Sequence, residues 1–354
     1  MNRAWIEVDL GALTRNAKAL ADRAGVPLIP MVKADAYGLG AVQIAHALET
    51  LSPHAYGVAT VAEGEELRKA GITRRIIVFT PLATEDFAAA HAANLTPSLG
   101  SKTAIDAWQI YGSPYNLQID TGMARAGVPW REVGALAATL NAHPPAGVFT
   151  HFHSSELDDG SIEVQIARFN LALDSLPVKP EFIHTDNSGA IVRHGKSKAT
   201  AIRPGIFLYG VGSGETAPLQ PEPVVYMKAR IVETRWLEPG DTVSYDATWT
   251  ARRKSLIATI PLGYADGYPR NASSVGQGVV NNSVVSVVGR VTMDMIMLDV
   301  TGSGAGVGDV VTMIGDSRRT NAAIDIASVA ALASMSPYEL LTGLRNRIPR
   351  IYHR

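Results

Sequence analysis

Eight short apolar runs recur through the first 210 residues or so, with helix-like segments between most of them, and few folds accommodate that alternation. The runs are Leu28 to Val32, Ala55 to Ala59, Ile76 to Thr80, Asn94 to Ser98, Tyr115 to Ile119, Ala146 to His151, Glu181 to Thr185 and Ala201 to Arg203. Between them lie segments such as Val61 to Ala70, closed by Gly71, and Glu163 to Leu176. Ahead of the first run, Leu10, Leu13, Ala17, Leu20 and Ala21 fall on one helical face, with Asp9 placed to cap it. Eight strand–helix units predict a parallel (β/α)8 barrel, with its site at the C-terminal strand ends. A doubly wound sheet is the alternative.

The pattern changes after Gly214. Ala217-Pro218-Leu219-Gln220-Pro221-Glu222-Pro223 reads as a linker. Beyond it, strand signals with turn punctuation dominate: Pro239 to Val243, Ser283 to Gly289, Met295 to Val300 and Val307 to Val311. The expected division is a barrel domain over residues 1–223, its first strand free to join the second domain, and a mostly β C-terminal domain over 224–354. One helix near Asn321 to Met335 is expected to decorate the latter.

The chain has 354 residues, enough for two domains, and a net charge of -1 offers no field for nucleic acid or an anionic membrane. With no cysteines, disulfides and thiolate metal sites are excluded. Residues Met1 to Val8 contain no long apolar run and no stretch approaches a membrane span, so a cytoplasmic location is expected.

Polar residues gather at the predicted strand ends. Lys33 follows the run Val26-Pro27-Leu28-Ile29-Pro30-Met31-Val32, whose two prolines remove ladder donors. A lysine there is costly to keep charged, and desolvation makes it a good amine nucleophile toward an aldehyde. Read alone, it is a lysine that snorkels to water. Arg125 follows the fifth run, His151 ends the sixth, Ser188 follows the seventh and Arg203-Pro204-Gly205-Ile206 follows the eighth. Loops in the last two places often bind phosphate. Ser188 offers a hydroxyl and also suits a helix N-cap. Arg203 suits either a cofactor contact or an ion pair with Asp186. His151 with His153, and His184 with Asp186, have spacings that could hold a metal, which raises a metal-dependent hydrolase as a rival. Tyr245, beside a turn, reads on physics alone as a packing aromatic, since a free phenol titrates near ~10.

Met31-Val32-Lys33-Ala34-Asp35-Ala36-Tyr37-Gly38 resembles the pyridoxal-phosphate lysine motif of alanine racemases. Val243 to Trp249, Tyr264 to Pro269 and Val291 to Asp294 continue that resemblance nearly end to end and in the family's order. It implies L- and D-alanine interconversion by two-base α-proton exchange on cofactor-bound amino acid, supplying D-alanine for peptidoglycan. It implies Lys33 as the residue that carries pyridoxal 5'-phosphate (PLP) and as the base on the D-alanine side. Tyr245 would be the opposite-face base, supplied by the partner in a head-to-tail homodimer. Tyr37, Ser188, Gly205 and Ile206 match phosphate-binding positions, Arg203 the residue on the pyridine nitrogen, and His151 the histidine beside the ring. Arg125 and Met293 match substrate-carboxylate contacts, with Asp294 beside Met293, and Tyr264 matches a residue that narrows the entrance. The resemblance requires no metal. Two departures stand out. Gln118 replaces a lysine that many members carry, often carbamylated. Asn346 replaces a tyrosine that often touches phosphate. A racemase of broader scope or one acting on serine, and a non-catalytic PLP carrier, are the other functions such residues allow.

Overall fold

A computed structural model of the chain describes residues 2–316 and 321–354. Strands Ala55–Val58, Arg75–Val78, Thr96–Leu99, Asn116–Asp120, Gly147–Phe149 and Phe182–His184 run parallel, in that order. Two further segments close the curve. The Ile29 N–H donates to Ile202 O at 2.7 Å and the Met31 N–H to Pro204 O at 2.9 Å. On the other side the Val32 N–H donates to Gly57 O, and the Gly57 N–H to Pro30 O, each at 2.9 Å. Pro27, Pro30 and Pro204 have no N–H to give, so pairing here is reduced to the isolated bridges Leu28–Ile202 and Met31–Gly57. This closure removes the doubly wound alternative, which would leave two free edges.

Register sets the barrel interior. Gln118 pairs with Phe149 and Phe149 with His184, while one layer down Asn116 pairs with Gly147 and Gly147 with Phe182. A Cβ on Gly147 would stand 2.4 Å from Asn116 Oδ1, so only glycine lets these strands carry those side chains.

The helix Leu10–Ala24 forms where expected. Asp9 accepts from the Ala12 N–H at 2.7 Å, and Gly25, at φ 71°, ends the helix with its N–H on Ala21 O. Leu10, Leu13, Ala17 and Leu20 are buried. Each buried leucine contributes about 1.5–3 kcal/mol, which holds this helix on the barrel.

The strand that precedes this helix, Ala4–Asp9, lies in the other sheet. It pairs antiparallel with Val225–Arg230 and parallel with Arg350–His353. The nine-stranded sheet thus takes in both chain ends. Within it, Gln277–Val280 and Ser283–Val287 form a hairpin whose two loop residues, Asn281 and Asn282, sit at φ 49° and 60°. Asparagine tolerates that conformation better than most residues. The helix expected near Asn321 to Met335 is shorter, Ile326–Leu332, because Asp325 caps it from the Ser328 N–H. A second short helix, Pro337–Thr342, follows with a Ser336/Glu339 capping box.

Candidate active site

Lys33 opens a short helical turn, Lys33–Gly38, rather than ending a regular strand. Ala34, Asp35, Ala36 and Tyr37 have φ between 51° and 58°, so the turn is left-handed. Left-handed turns cost L-residues roughly 1–2 kcal/mol each, and four in succession need outside support. The turn's surroundings supply it. Glu63 Oε1 accepts from the Ala34 N–H at 2.7 Å, and the Asp35 carboxylate accepts from the Ala41 N–H at 2.7 Å. Arg350 donates twice to Gly38 O, and the Tyr209 hydroxyl donates to Met31 O at 2.7 Å.

The turn delivers Lys33 and Tyr37 to a cavity of about 340 Å³ at the barrel mouth. The same cavity is lined by Gln118, Arg125, His151, Ser188, Arg203, Gly205 and Ile206. The structure therefore brings together every barrel residue that the sequence placed in the site. Three cationic side chains face one lining carboxylate, Glu156, so the cavity suits an anionic guest.

Burial, then the charge of Arg125, holds the Lys33 amine below its ordinary range, with Glu63 opposing them. That favours the neutral, nucleophilic amine. Arg203 is buried without a carboxylate at contact distance among the described residues. Its guanidinium donates to the carbonyls of Thr150 (2.7 Å), Thr185 (3.1 Å) and His184, and approaches His184 Nδ1 at 3.0 Å. The expected alternative, an ion pair with Asp186, does not form. The Asp186 carboxylate is taken by the hydroxyls of Thr185 and Ser197, and reaches Arg203 only at longer range. Burial lowers Arg203 to about 10 against the pull of Asp186. Burial and the charge of Arg203 push His151 down to about 3, so it is neutral at physiological pH.

At the opposite wall, Ser188 is not the helix cap. Asn187 is, accepting from the Ala190 N–H at 3.1 Å, which frees the Ser188 hydroxyl. It accepts from the Gly205 N–H at 2.9 Å and marginally from that of Phe207 at 3.5 Å. Between them, the Ile206 N–H has no hydrogen-bond partner among the described residues. A Cβ on Gly205 would lie 2.6 Å from Tyr37 Oη, so glycine is required for that close approach.

The candidate metal pairs are not arranged as ligands. His153 is exposed and bonds Ser154 at 2.6 Å, away from His151. His184 stacks on Phe149 and Phe182 inside the barrel. No group of three or more His, Asp or Glu residues positioned to hold a metal occurs among the described residues.

Tyr245, Tyr264, Met293 and Asp294 lie elsewhere. They share a second cavity of about 510 Å³ on the β domain, with Arg290 paired to Asp246 at 2.7 Å. None of them lines the Lys33 cavity of the same chain. Tyr245 is 70% exposed, so it is not the packing aromatic that its sequence alone suggests.

Sequence reasoning missed Phe79, Phe149, Glu156 and Tyr338 among the lining residues, and Glu63 behind the Lys33 turn. Tyr338 lines the Lys33 cavity, its ring 6.0 Å from that of Tyr37, and burial with the nearby charge of Glu156 pushes its phenol up to about 12. Asn346 is not among the lining residues. Glu63, whose role lies in backbone hydrogen bonds, looked like an ordinary capping-box residue. Its only sequence signal was the spacing Thr60-x-x-Glu63.

Residues 8–213 match the family described as "Alanine racemase, N-terminal domain", and residues 224–352 match "Alanine racemase, C-terminal domain". A protein named alanine racemase from Citrifermentans bemidjiense is 36% identical, covering 98% of each chain. One from Geobacter sulfurreducens is 36% identical over 98% of this chain and 96% of its own. Among solved structures, alanine racemase from E. faecalis superposes with a TM-score of 0.93 at 27% identity, over 99% of this chain and 98% of that one. Alanine racemase from Bartonella henselae, solved with covalently bound pyridoxal phosphate, gives 0.91 at 29% identity over the full length of both. These likenesses span the β domain as well as the barrel, which a carrier resembling the barrel alone would not do. The chain belongs to the alanine racemase family.

Proposed function

We propose that this protein interconverts L- and D-alanine with pyridoxal 5'-phosphate, providing D-alanine for peptidoglycan in the cytoplasm. The observation that carries the reading is a half-buried lysine amine, its pKa lowered by burial and by Arg125, sharing one cavity with Arg125, Arg203 and the Ser188–Ile206 wall. The residues fit the cofactor. Lys33 offers the amine for its aldehyde. Tyr37, Ser188, Gly205 and Ile206 would hold its phosphate, for which the Ile206 N–H, without a partner among the described residues, and the glycine cradle offer a donor and room. Arg203 would serve the pyridine nitrogen and His151 the side of the ring, both from the wall of the same cavity. When bound, the cofactor supplies the electron sink that makes the substrate's α-proton acidic.

The protein's part is to orient and to move protons. Arg125 and the partner's Met293 backbone hold the substrate carboxylate. Lys33 takes or returns the α-proton on one face. Tyr245 of the partner subunit would serve the other, because one tethered base does not reach both faces of the substrate's α-carbon. Arg203, cationic near neutral pH and held by carbonyls, would keep the pyridine nitrogen from taking a proton and so restrain side reactions. Tyr264 narrows the entrance. Exposed Tyr245, Tyr264, Met293 and Met295 on the β domain support a head-to-tail homodimer in which that surface covers the partner's barrel mouth.

Borohydride reduction of the cofactor-loaded protein, followed by peptide mapping, tests the assignment. The adduct is expected on Lys33, with D-alanine formed from L-alanine in a chiral assay of the unreduced enzyme. An adduct on another lysine, or no visible absorbance band after cofactor addition, contradicts it.

A further inference from the structure

Glu63 sits outside the cavity, yet it touches the segment that carries Lys33. Its Oε1 accepts from the Ala34 N–H at 2.7 Å, the first peptide after Lys33. Its Oε2 accepts from the Ala59 N–H at 2.6 Å and more weakly from the Thr60 N–H at 3.3 Å. One carboxylate therefore ties the left-handed turn to the end of the strand Ala55–Val58. That strand is also where the barrel closes, through the bonds of Val32 and Gly57.

A capping box needs only the contact to the Thr60 N–H and the reciprocal Thr60 bond, which is present at 3.2 Å. The bond to Ala34 is additional and goes to another element. It also lands at the start of four consecutive left-handed residues, where relaxation of one residue would swing the Lys33 side chain. Hydrogen bonds from backbone N–H groups to an ionised carboxylate are among the stronger ones available.

We infer that Glu63 is a positioning residue for the reaction, fixing the direction of the Lys33 amine by clamping the left-handed turn and supplying the negative charge behind it. The inference rests on the proposed role of Lys33. Glutamine at this position keeps one acceptor but turns an NH₂ group toward the second N–H, and it removes the charge.

The test compares wild type, Glu63→Gln and Thr60→Ala as full-length, cofactor-loaded proteins. Thr60→Ala removes the helix cap bond and leaves the Ala34 bond in place. For Glu63→Gln, kcat is expected to fall on the order of tenfold to a hundredfold, as misplacement of a reacting group does, with KM changed far less. The pH midpoint of the visible band from the Lys33–cofactor linkage is expected to move lower, because loss of a nearby negative charge disfavours the protonated nitrogen. Thr60→Ala is expected to lower the melting temperature with midpoint and kcat unchanged. A Glu63→Gln protein that matches Thr60→Ala in all these readouts overturns the inference and leaves Glu63 a capping residue. Should Glu63→Gln not fold, Glu63→Asp decides. It keeps the charge but is too short to span both N–H groups, so a lowered kcat with an unmoved midpoint supports the clamp and an unaltered kcat overturns it. The wild type separates this claim from the functional reading. Absence of racemisation or of the visible band there contradicts the latter, whereas an active wild type beside unaltered variants contradicts only the clamp.

Discussion

Arg203 is buried with no carboxylate at contact distance among the described residues, and burial, then the charge of Arg203, depresses its neighbour His151. A histidine that ordinarily titrates near 6.5 and falls to about 3 in the folded state binds its proton only after unfolding across that window. The unfolded chain then holds more protons than the native one, so stability rises with pH from about 3 to 6.5 and is lost as pH falls through that range. Thermal melts from pH 7 to pH 4 should show a steady fall, and His151→Gln should flatten it, since each such group contributes at most about 1.4 kcal/mol per pH unit. A mutant slope equal to the wild type's would mean that His151 is already protonated in the folded protein. Gln118 raises a different question. Its Oε1 is buried with no partner, and Arg125 makes no hydrogen bond or ion pair among the described residues. Gln118→Lys, assayed with bicarbonate to allow carbamylation, should lower KM for alanine by up to about fivefold, the range of a half-exposed ion pair. No dependence of KM on bicarbonate would show that the amide at this position has no functional weight.

The elements show which features the sequence exposes and which it hides. The alternation of apolar runs with amphipathic segments located all eight barrel runs, because strands buried on both faces read as short continuous apolar runs and the helices between them bury one stripe. It overstated the first and last of them, where Pro27, Pro30 and Pro204 limit pairing to single bridges. The left-handed turn after Lys33 was invisible. Ala34, Asp35, Ala36 and Tyr37 carry no strong preference for it, and the conformation is held by Glu63 and Arg350 from outside and by the Asp35 side chain within it. Tyr338 was missed for a similar reason. It is distant in sequence from Tyr37, and only the packing of the helix Pro337–Thr342 against the turn brings the two rings within 6.0 Å. A comparable long-range tie holds the loops of Tyr264 and Met293. The Ala265 N–H donates to Met293 O, and Arg347 bridges the buried Asp266 and Asp294, at 3.1 and 2.7 Å. Arg347→Ala should loosen both loops, raising KM for alanine severalfold with a smaller effect on kcat. An unchanged KM would separate this ion-pair bridge from substrate access.

At the scale of the whole molecule, the two ends of the chain meet in one sheet, so the β domain is fixed to the barrel by its first strand as well as by its linker. Ala4–Asp9 runs directly into the capped helix Leu10–Ala24, which packs on the barrel. Domain order was legible from the change of pattern after Gly214, and the sequence left the first strand free to join the second domain without deciding between the two sheets. Six residues of alternating burial look the same in either sheet. Within one chain, the residues implied by the resemblance fall into two groups, Lys33 with its cavity and Tyr245 with Tyr264 and Met293 on the β domain. The account requires that these groups meet between chains. Mixing inactive Lys33→Ala protein with inactive Tyr245→Phe protein, followed by subunit exchange, tests that requirement most directly. A mixed dimer holds one site with both defects and one with neither, so racemisation should return, to about half the wild-type value per mixed dimer, the fraction of intact sites expected from twofold symmetry. A mixed dimer, verified by mass, that remains inactive would contradict the account.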